Sequence, residues 1–127
     1  MATIDLTEAS FDETILGNDI VFVDFWASWC GPCRQFAPVY EQVSEKHPEI
    51  VFAKVDTDAN RRLAAEANIT SIPTLMAFRE QVLVFSQPGA LPANAFAELV
   101  DAVKGLDMPA VHAQIEASTT DAGTESA

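Results

Sequence analysis

Trp29-Cys30-Gly31-Pro32-Cys33 holds the only two cysteines of this chain, two residues apart. An apolar run, Ile20 to Ala27, leads into the pair, and a helix-like pattern leaves it. The attacking species in disulfide exchange is a thiolate. Cys30 stands where a helix begins, and the unpaired N–H groups and dipole there favour negative charge. Cys33 lies one helical turn further, on the same face. That spacing lets it attack a mixed disulfide formed at Cys30. Gly31 leaves the approach to the sulfur open, and Pro32 fits the first helical turn, where its missing N–H costs little. The chemistry is that of a dithiol–disulfide switch, passing two electrons to or from disulfides in other molecules. Two other uses of such a pair are weaker. Tetrahedral zinc needs four protein ligands, or three and a water, and the chain adds only His47 and His112. An inert buried pair fits poorly with Trp29 and Gly31-Pro32 at a loop–helix junction.

Asp24 is the second informative residue, the lone charge within the apolar run. Burying a carboxylate is expensive, and burial raises its pKa. A carboxyl of raised pKa near the dithiol can take and return the proton of Cys33. The alternative is a structural ion pair with Lys54, itself the lone charge of Ile50 to Val55. Both can hold at once, with Lys54 supporting Asp24.

The elements that must position these groups read as β-α-β-α-β-α-β-β-α. Ile4 and Leu6 suggest a short first strand. Thr7 or Ser10 can cap a helix over Phe11 to Leu16, and Ser10 with Glu13 fits a capping box. Ile20 to Ala27 and Ile50 to Val55 read as central strands covered on both faces. Between them a helix runs from about Pro32 to Lys46, and Pro38 inside it predicts a kink. Asp58 is a candidate cap for a helix over Leu63 to Ala67, closed by Asn68. Thr74 to Phe78 and Val82 to Phe85 form a hairpin around Arg79-Glu80-Gln81, which lacks the usual glycine. Leu91-Pro92 opens a last helix through Phe96, Leu99, Val100 and Val103. The fold class is α/β: a central mixed five-stranded sheet flanked by four helices.

A length of 127 residues suggests one domain, and 49% hydrophobic residues suffice for an ordinary core. The boundaries are 1–105 for the domain and 106–127 for an acidic C-terminal extension without Lys or Arg. There Leu106, Met108, Val111 and Ile115 suggest a short helix, and Asp121 to Ala127 a disordered end. A net charge of −12 argues against nucleic acid and against anionic membrane surfaces. The N-terminus shows neither the basic nor the apolar part of a signal peptide, and no apolar run reaches spanning length. A cytoplasmic location is expected, where a cysteine pair is catalytic or metal-binding rather than structural.

Asp24-Phe25-Trp26-Ala27, Trp29-Cys30-Gly31-Pro32-Cys33, Pro38, Lys54, Ile72-Pro73-Thr74 and Gly89-Ala90 together resemble the thioredoxin family in order and spacing, over about Ile4 to Gly105. The resemblance implies Cys30 as nucleophile, Cys33 as resolving thiol and a buried Asp24 beneath them. It implies a cis Ile72–Pro73 bond facing the cysteines, with the Ile72 backbone free for an extended client. Trp29, Ile72, Pro73, Gly89 and Ala90 would form an apolar rim. Gly31-Pro32 between the cysteines goes with reducing members. Pro88 before Gly89 departs from the family pattern. The implied partners are disulfide-containing client proteins and thioredoxin reductase, with electrons from NADPH through that separate enzyme. No bound cofactor is implied beyond the Cys30–Cys33 disulfide, and a monomer is expected. The alternative is an interaction module on the same fold, with incidental redox chemistry.

Overall fold

A computed structural model describes residues 2–126, with side chains as far as Ser118. The elements are β1 (Thr3–Asp5), α1 (Phe11–Gly17), β2 (Ile20–Trp26), α2 (Gly31–Glu45), β3 (Val51–Asp56), α3 (Arg61–Glu66), β4 (Thr74–Arg79), β5 (Val82–Pro88), α4 (Ala93–Lys104) and α5 (Met108–Ser126). The strands form one sheet in the order β1-β3-β2-β4-β5. Helical crossovers make β1, β3 and β2 parallel, whereas β4 runs antiparallel to both β2 and β5. β2, an apolar run interrupted only by Asp24, takes the centre, as a strand covered on both faces must.

Alternate residues of β2 serve opposite layers. Ile20 and Phe22 face α2 and α4, joining Phe36, Tyr40, Val43, Phe96, Val100 and Val103. Val21, Val23 and Phe25 face α1 and α3, with Ile15 and Leu63. The first layer is built on aromatic rings. Phe96 of α4 lies 5.3 Å from Phe36, 5.5 Å from Tyr40, 5.8 Å from Phe22 and 6.2 Å from Phe52, mostly edge to face. Tyr40 resolves its buried hydroxyl by donating 2.7 Å to the Ala53 carbonyl of β3. α2 is thereby fixed to the sheet, and the residue pair at its N-terminus is fixed with it.

Several local expectations are corrected. Ser10 does precede α1, but in a helical rather than extended conformation, and makes no side-chain cap. Its Oγ instead accepts from the Thr7 amide at 3.0 Å, so the capping box is not formed. Asn60, not Asp58, precedes α3, while Asp56 Oδ1 accepts from the amides of Asp58 and Ala59. Asn68 closes that helix in the left-handed region, φ 58°. The β4–β5 hairpin turns on two residues rather than three, since Arg79 pairs with Val82. Glu80 and Gln81 both take positive φ, 52° and 66°, the conformation of a type I′ turn that glycine or asparagine usually supplies.

The C-terminal segment forms α5, whose Met108 is buried. The disorder expected for Asp121 to Ala127 concerns residues whose side chains lie outside the described part. Among the described residues, no helix is long and apolar enough to cross a membrane.

Candidate redox site

Cys30 is the N-cap of α2, in extended conformation at φ −87° and ψ 113°. Gly31 and Pro32 are the first two helical residues and Cys33 the third. The loss of the Pro32 N–H is harmless there. The Cys33 amide, which a helix of any sequence would leave unpaired, donates to Cys30 Sγ at 3.2 Å. Cys30 and Cys33 are joined as a disulfide with Cα atoms 5.2 Å apart. Cys30 Sγ also lies 3.8 Å from the Ile72 carbonyl oxygen. The two cysteines are buried to similar degrees, 5% and 3% exposed, so burial does not tell them apart. Position does: the helix-terminal amide points at Cys30, where it stabilises a thiolate.

The surroundings are apolar and half open. Ala27, Trp26 and Ile72 pack around the pair. Pro73 is buried, and the Ile72–Pro73 peptide bond is cis. β4 begins at Thr74, so the Ile72 backbone lies ahead of the ladder, beside Cys30. The Pro73 carbonyl accepts from the Gly89 amide at 2.7 Å. Gly89 has φ +106°, a conformation that suits glycine and few other residues. Gly89 and Ala90 are exposed. α2 continues unbroken through Pro38, one amide donor short.

Trp29 is 67% exposed, yet it is held: its indole N–H donates 3.0 Å to Asp58 Oδ2. Sequence reasoning assigned Asp58 to a helix cap and missed this role, because 29 residues separate the partners and no spacing rule connects them. Beside Trp29 opens a groove of about 350 Å³ lined by Thr57, Ala64, Ile69 and Ile72 among others, which the sequence did not reveal either.

Asp24 shares the face of Ile20 and Phe22, toward α2, and is 1% exposed. Neither carboxylate oxygen has a hydrogen-bond partner among the described residues. Burial pushes its pKa from 3.8 up to about 7, against the opposing pull of Lys54. Lys54 is its neighbour in register on β3, but the ammonium sits over the Trp26 ring, 4.9 Å from its centroid. Lys54 thus acts on Asp24 through its field and not through a contact pair. Tyr40 is shifted in the same direction. Burial, and then the Asp24 charge, hold its phenol well above the usual range, although the bond to Ala53 opposes this.

A disulfide at a helix N-terminus, beside the Ile72 carbonyl and packed by Ala27, Trp26 and Ile72, is the arrangement of a protein thiol–disulfide oxidoreductase. The comparisons specify the class. The Thioredoxin family model matches residues 2–102. "Putative thioredoxin 2" of Streptomyces coelicolor is 49% identical over 122 residues, covering 96% of this chain and 91% of its own, so the match runs into α5. Thioredoxin 1 of Synechococcus elongatus is 42% identical over 98 residues, 76% of this chain and 92% of its own. The solved structure of Plasmodium falciparum thioredoxin superposes with a TM-score of 0.73 at 38% identity, covering 79% of this chain and 97% of its own. The chain belongs to the thioredoxin family.

Proposed function

We propose that this chain is a reductant of protein disulfides, recharged by an NADPH-dependent thioredoxin reductase in the cytoplasm. The observation that carries the reading is the Cys33 amide directed at Cys30 Sγ, beside the Ile72 carbonyl. In the reduced protein the Cys30 thiolate attacks one sulfur of a client disulfide, and the other client sulfur leaves as a thiolate. Cys33, deprotonated by Asp24, then attacks Cys30 Sγ and releases the second client thiolate. Two electrons pass to the client, and the chain is left as the Cys30–Cys33 disulfide seen in the structure. A carboxyl with pKa about 7 can hold that proton and return it at neutral pH. Trp29, Gly31, Pro32, Ile72, Pro73, Gly89 and Ala90 receive the client, with the Ile72 backbone pairing an extended segment. Lys54 tunes Asp24, and Pro38 belongs to the helix that presents both sulfurs.

Insulin disulfide reduction with NADPH and a thioredoxin reductase tests this, beside a dithiothreitol-driven control. Turnover in both arms is expected. Activity with dithiothreitol alone would replace the electron donor, and activity in neither would leave an interaction module.

A further inference from the structure

The two edges of the sheet are unequal. β1 offers three residues and carries Asp5. β5 offers seven, begins with the apolar run Val82-Leu83-Val84-Phe85, and has no charged side chain. A long, apolar, uncharged edge with free N–H and C=O groups is a template for another chain. β5 has two of the usual defences, an irregular register opposite Ala77 and Phe78 and a proline at its far end. Neither blunts Val82 and Leu83, and Leu83 is 48% exposed.

The segment beyond α4 stands beside this stretch. Leu106, Val111 and Ile115 face Val82, Leu83 and Val84 across a groove of about 470 Å³. Three ties hold it there. Met108 is 2% exposed. The Arg79 guanidinium donates 3.0 Å to the Leu106 carbonyl, and 2.9 and 2.8 Å to the Val103 and Lys104 carbonyls that end α4. His112 Nε2 lies 2.8 Å from Glu80 Oε1. Arg79 ends β4 and Glu80 starts the turn into β5, so the polar ties fasten the segment to the hairpin that carries the edge.

We propose that α5 is an edge guard: it screens β5 from antiparallel pairing with β5 of a second copy of this chain. A two-fold β5–β5 pair would set no like charges opposite one another, and it would bury Leu83. Undocking α5 therefore opens a self-association surface. The inference does not involve the cysteines and stands or falls apart from the redox reading.

Sedimentation equilibrium of the full chain tests it, combined with amide hydrogen exchange on α5. The parent should sediment at 13.7 kDa. Val111→Asp/Ile115→Asp should free the α5 amides and raise the mass twofold, and adding Leu83→Lys should return it to the monomer value. A parent that is already dimeric overturns the inference. So does a double variant that stays monomeric with α5 exchanging freely, one whose α5 stays protected, or a dimer indifferent to Leu83→Lys. Should the double variant lose its far-UV circular dichroism, Ile115→Asp alone is read by the same criteria.

Discussion

Replacing Asp24 by Asn should stabilise the protein, and more so as pH rises. The folded state holds the Asp24 proton up to about pH 7, and an unfolded chain releases it near 3.8. Between those values the folded state binds more protons, so stability falls with increasing pH and levels off above pH 7. A gap of about three pH units at about 1.4 kcal/mol each amounts to about 4 kcal/mol in all, of which about 3 is lost between pH 5 and 9. Asn cannot ionise. Its buried amide lacks partners as the protonated acid does, so that cost roughly cancels. Urea unfolding of both disulfide forms at pH 5, 7 and 9 reads the difference. The disulfide removes the thiols, and the two proteins differ only at residue 24, so the difference isolates Asp24. The advantage of Asp24→Asn should grow by about 3 kcal/mol from pH 5 to 9. A pH-independent difference would mean that the carboxyl is not held protonated by burial, and the proton-relay role would fall with it.

Two further outcomes concern the scaffold. Phe96→Ala should cost about 3–5 kcal/mol in denaturant midpoint studies, because the ring joins Phe22, Phe36, Tyr40 and Phe52 in one layer. A loss below about 1 kcal/mol would show that the cluster collapses freely into the space. Gln81→Gly should stabilise by about 1 kcal/mol, because Gln81 holds φ 66° in the hairpin turn and its own side-chain bond to the Leu16 carbonyl is long, 3.4 Å, and exposed. Thermal unfolding checks it, and a lowered midpoint would contradict a strained turn.

What the sequence disclosed depended on the range of the signal. The apolar runs of β2 and β3 announce covered central strands, and the cysteine spacing within α2 announces a shared helical face. Asp24 and Lys54 stand out because each interrupts an apolar strand. Where one side chain has several local uses, the sequence is ambiguous. Ser10 can cap a helix or close the turn from Thr7, and it does the second. Asp58 can cap α3 or hold Trp29, and its long-range bond prevails. The glycine-free hairpin keeps its two-residue turn because the surrounding sheet enforces positive φ on Glu80 and Gln81. Lys54 pairs in register with Asp24, yet only three-dimensional packing shows its ammonium turned onto Trp26.

The central claim is that Cys30 attacks and Cys33 resolves. Trapping tests it most directly: Cys33→Ser and Cys30→Ser are each incubated with a disulfide-containing client, and adducts are mapped by peptide mass spectrometry. Cys33→Ser should accumulate a mixed disulfide at Cys30, and Cys30→Ser should form little adduct. Equal trapping by both variants, or trapping mainly through Cys33, would contradict the account.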